Sequence, residues 1–257
     1  MIYQVKSYLK FLRKATNQHG VHSPFVYDLV TKCFYSTQKY PEYTELKKFR
    51  KKLSKSKNTI EVSDFGAGSS VFKDNERKIS AIAKNAGMRP KRQKLLFRLV
   101  RYLEPKNVLE MGTSLGLATV AIAKATPNTI ITTVEGCPET AKQARENFET
   151  MLLTNIYLQN MGFESFLDVL SNEKFDLVFV DGNHNKQSTL HYFETLLTSA
   201  TNSSVFIFDD IYWSEQMTEA WKEIISNPAV TVSIDTFQWG LVFFRKEQRK
   251  QHFTIRL

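Results

Sequence analysis

From residue 107 onward, short apolar runs rich in β-branched residues alternate with amphipathic segments. This alternation is typical of parallel strands that are joined by crossover helices. We therefore predict five strands, each followed by a helix. The strands are predicted at residues 107–111, 130–134, 156–159, 175–180 and 204–208, and the helices near 116–125, 138–150, 163–170, 187–199 and 214–226.

The last part of the chain breaks the alternation. Two strand-like runs, residues 230–236 and 241–245, are separated by only a short connection. A parallel crossover takes about a dozen residues or more, so these two runs are predicted to pair antiparallel. The pattern as a whole predicts an α/β fold with a doubly wound, mostly parallel seven-stranded sheet and an antiparallel last strand. Residues 93–257 would form this Rossmann-like domain, and residues 1–92 a mainly helical, basic cap and lid region.

Charge adds one question to this picture. The chain carries 35 Lys and Arg against 26 Asp and Glu, for a net charge of +9, and seven of the basic residues lie within positions 47–57. Such clusters attract phosphates, so RNA is a possible partner. A solvated helix face is the more ordinary interpretation. No RNA-recognition motif, such as an aromatic RNP pattern or a GXXG clamp, is visible in the sequence.

Composition also sets expectations about the compartment. No stretch of the sequence approaches the roughly 18 apolar residues of a membrane-spanning helix, and its start lacks the apolar region of a signal peptide. We therefore expect no membrane span and a cytoplasmic location. The two cysteines, Cys33 and Cys137, show no paired spacing, so they are expected to be reduced thiols. The sequence leaves the oligomeric state open.

Candidate chemistry begins at the end of the first predicted strand, because ligands of open α/β sheets bind beyond the carboxyl ends of the strands. Small residues in this loop let a ligand approach the backbone, and the following helix offers free N–H groups. After the second strand, Glu135 can accept the hydroxyls of a ribose. These features predict an adenosine-containing ligand. The loop residues predicted to bind it are Glu110, Gly112, Thr113, Ser114 and Gly116.

A dinucleotide is the weaker choice of ligand. Its fingerprint, G-x-G-x-x-G, needs a glycine two positions after Gly112, where this chain has Ser114. A second glycine loop, from Asp64 to Ser70, follows a plausible strand at residues 59–62. It is not followed by another strand that ends in an acid, so we place it outside the main sheet, where it could act as a lid.

Three blocks of the sequence, residues 108–116, 175–182 and 205–213, resemble class I S-adenosylmethionine-dependent methyltransferases. Within that family they are most similar to small-molecule O-methyltransferases of the catechol and caffeoyl-CoA type. The resemblance covers residues 93–245. It implies that the Glu110 loop holds the methionine portion of S-adenosylmethionine, that Glu135 holds the ribose, that Gly162 and Phe163 lie at the adenine, and that Asp181 lies at the reaction centre.

The ends of the fourth and fifth strands suggest how the reaction proceeds. Asp181 and Asp209 end neighbouring strands, and their oxygens with those of Asp210 would suit Mg²⁺, Ca²⁺ or Mn²⁺. A metal there would acidify a hydroxyl substrate, and chelation would then abolish turnover. Asp210, however, stands where the metal-dependent relatives carry Asn. The alternatives are helix capping by the aspartates and metal-free catalysis with His184 as base or substrate ligand.

The sequence therefore predicts a methyltransferase that modifies the hydroxyl group of a small-molecule acceptor. Trp213 and Tyr212 either wall the acceptor pocket or pack in the core. An RNA methyltransferase that uses the basic cap is the second interpretation. A non-catalytic binding protein on the same fold is the third, because fold does not determine function. An NAD-dependent oxidoreductase is disfavoured by Ser114 and by the antiparallel tail.

Overall fold

The structure is a computed structural model that describes residues 2–63 and 74–257. The loop from Asp64 to Ser70, predicted as a possible lid, lies outside the described residues. Those that are described divide into two compact units. One unit contains the residues up to Tyr35 together with Val169–Leu257, and the other contains those of Ser36–Asp168. The domain boundary that the sequence predicts between residues 92 and 93 stays a prediction.

The elements are numbered in chain order over the described ranges. The α-helices are α1 (Ile2–Lys14), α2 (Pro24–Asp28), α3 (Glu42–Ser54), α4 (Ile79–Asn85), α5 (Pro90–Leu103), α6 (Leu117–Ala125), α7 (Pro138–Thr150), α8 (Phe163–Val169), α9 (Lys186–Leu196) and α10 (Glu215–Ser226). The strands are β1 (Thr59–Glu61), β2 (Glu76–Lys78), β3 (Asn107–Met111), β4 (Ile130–Val134), β5 (Ile156–Gln159), β6 (Leu177–Val180), β7 (Val205–Asp209), β8 (Val232–Asp235), β9 (Trp239–Phe243) and β10 (Gln251–Thr254). Leu29–Phe34 forms a π-helical stretch, and Gln18–Gly20 and Leu197–Ser199 form short 3₁₀ turns.

In the Ser36–Asp168 unit, β3, β4 and β5 lie side by side and run parallel. Four of the five residues of β3 are buried, as expected of a strand that is covered on both faces. Helix α6 is rich in alanine and buried along almost its whole length, so it packs within the core. Strands β1 and β2 form a separate antiparallel pair, so the plausible strand at residues 59–62 corresponds to β1, outside the main sheet.

The other unit contains β6 to β10 in the order β10-β8-β9-β7-β6. Strands β6 and β7 are parallel, whereas β9 runs antiparallel to both β7 and β8. The predicted antiparallel pair near the end of the chain is therefore confirmed, as is the α/β class with a mostly parallel sheet. Strand β10, which pairs in parallel with β8, brings the number of main strands among the described residues to eight instead of the predicted seven. Its short polar sequence shows no apolar alternation, so nothing in the pattern predicts it.

The N-terminal residues of this unit are attached to its C-terminal segment. The Tyr35 hydroxyl donates to the Arg256 carbonyl oxygen over 2.6 Å, and Thr16 forms a bridge with Ile255. Phe11 of α1 is buried, and its ring centroid lies 5.4 Å from that of Phe237. In the described ranges, no helix is both long and apolar enough to cross a membrane.

Candidate functional site

Glu110, the last but one residue of β3, lies at the centre of a buried hydrogen-bond network. Its side chain has no solvent exposure, and its Oε2 accepts hydrogen bonds from Thr119 Oγ1 (2.5 Å) and Thr133 Oγ1 (2.6 Å). The hydroxyls of Thr113 and Thr133 are 2.6 Å apart. Because Thr133 gives its one proton to Glu110, Thr113 must donate to Thr133. The network therefore joins the loop after β3 to β4 and α6.

Burial also changes the acidity of this carboxyl group. Removal from water raises the pKa of Glu110 to about 7, against the lowering effect of the two threonine hydrogen bonds; the nearby Glu135 raises it slightly further. Glu110 Oε1 is buried and has no hydrogen-bond partner within the described part of the chain. A buried carboxyl oxygen of this kind fits a loop that is completed by a polar group of a ligand.

The loop after β3 depends on two glycines with positive φ. Gly112 has φ 113° and Gly116 has φ 83°, a region that side chains other than glycine rarely adopt. A Cβ atom on Gly116 would lie 2.4 Å from Cε1 of Phe148, so the loop also packs tightly there. The amides of Gly112 and Thr113 both donate to the Val134 carbonyl oxygen. Since these N–H groups are used within the chain, they do not form the open phosphate cradle of a dinucleotide site.

Glu135 follows β4 and lies close to the same loop. Its two carboxylate oxygens accept hydrogen bonds from the backbone N–H of Ser114 (2.9 Å) and of Cys137 (3.0 Å). Burial raises the pKa of Glu135, and both hydrogen bonds oppose that shift. A carboxylate has about four lone-pair sites, so this one can still accept two hydroxyl groups. The role of Glu135 as a ribose acceptor stays a prediction.

The predicted adenine contacts lie at the start of α8, in the same unit. Gly162 has open space where a Cβ atom would be, and its carbonyl oxygen accepts the first hydrogen bond of the helix from Phe166 N. Phe163 is partly buried as the first residue of α8. These two residues stay candidates for contact with the base.

The other unit holds the acids at the ends of β6 and β7. Asp181 directly follows β6, and Asp209 is the last residue of β7. Asp209 is buried, and its Oδ1 accepts a hydrogen bond from the backbone N–H of Asp210 over 2.8 Å. Asp210 has φ 51°, in the left-handed region, and its carbonyl oxygen accepts from Trp213 N. Neither aspartate takes a capping position of the following helices, which are capped by Asn185 and Ser214.

His184 lies beside Asp181. Its Nε2 is 3.9 Å from Asp181 Oδ1, and the two side chains are 23% and 26% exposed, so both are accessible to a substrate. The ring of the exposed Trp213 lies 6.0 Å from the imidazole. Tyr212 instead donates to Asp235 Oδ2 over 2.6 Å and stacks on the partly buried ring of Phe237.

The predicted metal ligands do not form a complete set. Among residues 2–63 and 74–257, no three His, Cys, Asp or Glu side chains are grouped so that they could hold a metal ion. Asp181, Asp209 and Asp210 are therefore not brought together as a three-ligand site. Metal binding by these aspartates stays a prediction.

Sequence reasoning missed several residues that position the loop after β3. Thr119 and Thr133 hold Glu110, and Asn147 Nδ2 donates to the Leu115 carbonyl oxygen over 3.1 Å. Gln93 Nε2 donates to the Leu117 carbonyl oxygen over 2.6 Å. Each is a polar residue that is buried on the apolar face of its element. A buried polar position on an otherwise apolar face is the signal that could have identified them.

Comparison with known proteins finds similarity to methyltransferases. A family model described as a methyltransferase domain matches residues 109–211, a stretch that runs from the Glu110 loop to the end of β7. A catechol O-methyltransferase of Niastella koreensis is 28% identical over 127 residues, which is 48% of this chain. The match spans 57% of that relative, little more than half of its length.

Solved structures share the fold at low sequence identity. An S-adenosylhomocysteine-bound methyltransferase of Podospora anserina matches with a TM-score of 0.63 and 16% identity, over 88% of this chain and 97% of that one. An O-methyltransferase of Bacillus cereus in complex with S-adenosylhomocysteine matches with a TM-score of 0.56 and 18% identity, over 83% and 94%. The resemblance to class I S-adenosylmethionine-dependent methyltransferases is thereby confirmed.

Proposed function

We propose that this chain transfers a methyl group from S-adenosylmethionine to a hydroxyl group of a small acceptor. The observation that carries the proposal is the buried Glu110 network, which fixes a glycine loop beside a ribose-accepting carboxylate, Glu135. The match of residues 109–211 to a methyltransferase domain supports it. The catechol O-methyltransferase relative favours oxygen as the methyl acceptor.

Residues of the Ser36–Asp168 unit would bind the cofactor. Glu135 would accept the ribose hydroxyls, and Gly162 and Phe163 would lie at the adenine. The Glu110 loop would hold the methionine portion, with Glu110 Oε1 facing a polar group of the ligand. When bound, S-adenosylmethionine supplies a methyl group on a positively charged sulfonium, and the neutral thioether is the leaving group once the acceptor oxygen has taken the methyl.

On the acceptor side, His184 would take the proton of the hydroxyl group, and Asp181 would stabilise the imidazolium that results. The 3.9 Å separation of these groups suits an ion pair once His184 is protonated. Trp213 offers an aromatic surface close to the imidazole for a planar acceptor. We favour this route because His184 and Asp181 are adjacent.

Calorimetry tests the cofactor part of the proposal. We expect S-adenosylmethionine to bind and NAD not to bind. Glu135→Ala should weaken the first interaction about 10- to 100-fold, because hydrogen bonds to a charged group are lost. Glu139→Ala, which removes an exposed carboxylate from the first turn of α7, is the matched control. Binding of NAD in place of S-adenosylmethionine would overturn the proposal.

Chelation distinguishes the two catalytic routes. With a catechol as trial acceptor, we expect methylation to persist after exhaustive treatment with EDTA, because His184 supplies the base. Loss of activity that is restored by Mg²⁺ would instead favour the route through Asp181, Asp209 and Asp210.

RNA methylation stays an alternative prediction. An RNA-binding isotherm that does not depend on salt concentration would remove this alternative.

A further inference from the structure

Helix α1 exposes an apolar stripe to solvent. Ile2, Val5 and Leu9 are 75%, 57% and 52% exposed. Their spacing, i, i+3 and i+7, places them on one face of the helix. The opposite face carries Ser7 and Phe11, which are buried within the unit. The stripe is therefore a second apolar face, which the packing of α1 leaves uncovered.

Basic residues border this stripe along one side. Lys6, Lys10 and Arg13 are all exposed, and α1 contains no Asp or Glu. At 3.6 residues per turn, these side chains project from the helix within about 120° of the stripe. The exposed surface of α1 is thus an apolar strip with a positive flank.

Helix α3 shows that a basic helix in this chain need not be built in this way. It has 13 residues, as α1 has, and it is also rich in lysine. Its apolar residues Leu46, Phe49 and Leu53 are buried, so mainly charged side chains face the solvent. Of these two helices, α1 has the exposed apolar face, and such a face calls for a partner of its own.

We propose that α1 lies flat on an anionic phospholipid surface, a binding function separate from methyl transfer. Its 13 residues give a length of about 20 Å, too short to span a bilayer core of about 30 Å but sufficient for a helix in the interface. Ile2, Val5 and Leu9 enter the boundary of the acyl chains. Lys6, Lys10 and Arg13 contact the headgroup phosphates.

A second copy of the chain is the competing occupant of this face. In an antiparallel two-fold pair of α1 helices joined through the stripe, the basic flank of one helix would lie against the same flank of the other. The like charges would then repel each other. An anionic surface is complementary to both the stripe and its flank, so it fits better than self-association.

Co-sedimentation with lipid vesicles tests the proposal on the full chain. We expect binding to vesicles of about 70% phosphatidylcholine and about 30% phosphatidylserine, and at least about tenfold weaker binding to phosphatidylcholine alone. Val5→Ser with Leu9→Ser should weaken binding to the anionic vesicles about tenfold or more. The matched control is Leu152→Ser with Val169→Ser. It removes apolar side chains that are 86% and 69% exposed outside α1, and it should leave vesicle binding unchanged.

A second pair of variants separates specific docking from general attraction by net charge. Replacement of Lys6, Lys10 and Arg13 by Gln should weaken binding by up to about fivefold for each charge removed. Replacement of Lys47, Lys51 and Lys52 of α3 by Gln removes the same charge and should have little effect. Equal losses from both triple variants, with no effect of the apolar variant, would mean unspecific adsorption and would overturn the proposal.

Two further outcomes also decide against it. One is absence of sedimentation with either kind of vesicle. The other is a dimer in light scattering that Val5→Ser with Leu9→Ser converts to a monomer, without any vesicle binding by the original chain. Unchanged circular dichroism and melting temperature of the variants would show that the fold is intact, because the replaced side chains are exposed.

Discussion

Two pairs of candidate site residues, one in each compact unit, have contrasting surroundings. In one unit, the carboxyl groups of Glu110 and Glu135 accept hydrogen bonds from threonine hydroxyls and backbone amides. In the other, Asp181 and His184 lie 3.9 Å apart, with about a quarter of each side chain open to solvent. The side chains of the first pair are held by hydrogen bonds within the chain, whereas those of the second pair are accessible to solvent.

This contrast suggests a division of roles. A carboxyl group that is held by several hydrogen bonds keeps a loop in one geometry, which favours tight binding of a ligand with little rearrangement. An accessible imidazole beside a carboxylate can exchange a proton with a substrate. We therefore expect substitutions in the first region to affect cofactor affinity and those in the second to affect turnover.

The largest expected effect separates the regions most clearly. His184→Ala should lower kcat about 100- to 10,000-fold, because a general base is removed, and leave the Kd for S-adenosylmethionine nearly unchanged. His191→Ala, at an exposed position of α9, is the control. Steady-state kinetics and calorimetry measure the two quantities. A fall in affinity as large as the fall in kcat would break the proposed division of roles.

Two glycines of the Ser36–Asp168 unit test how tightly the loop after β3 is packed. Gly116→Ala should destabilise the chain by about 2–4 kcal/mol, since a left-handed residue gains a Cβ that overlaps Phe148. Gly162→Ala meets no atom within 4 Å and should be nearly neutral. Urea denaturation gives both free energies of unfolding. Equal values for the two variants would show that the loop is not as tightly packed as the structure indicates.

A smaller effect concerns pH. The pKa of Glu110 is raised to about 7, so the folded chain holds this proton more tightly than the unfolded chain does. Its contribution to stability is present at low pH and is lost as the pH rises through about 7, a change on the order of 2 kcal/mol between about pH 5 and about pH 8. Glu110→Gln should remove this part of the pH dependence.

Denaturation of both proteins at the two pH values checks this expectation. Other groups with raised pKa values, such as Asp235, contribute equally to each, so the difference between the two proteins isolates Glu110. An identical pH dependence in both proteins would show that Glu110 does not titrate in this range. The pKa of the Glu110 carboxyl group would then not be raised by its burial.

Local periodicity predicted the elements that surround the candidate site. Strands β3, β4 and β5 and helix α7 begin and end at the predicted residues. These segments are well determined because their apolar spacing reports burial directly. The glycines of the loop and Glu135 were also recognisable, because loop conformation and ligand chemistry depend on residue type and on position after a strand.

Other features depend on contacts between residues that are distant in the chain. Glu110 acquires its raised pKa from burial, and Thr119 and Thr133, which share one of its oxygens, lie on two other elements. Strand β10 exists because it pairs with β8, although its own sequence is polar. The register of such pairs is a property of the assembled sheet.

The sequence by itself determined the α/β class, the alternation of strands and helices from residue 107 to the antiparallel pair, and the position of the glycine loop after β3. These features follow from short-range spacing and from the conformational freedom of glycine. Only the tertiary structure decided that Glu110 is fully buried, that Gly116 lies against Phe148, and that the apolar stripe of α1 faces solvent. The physical reason is that burial depends on which surfaces meet in space, and an amphipathic pattern alone does not say which of its faces will be covered.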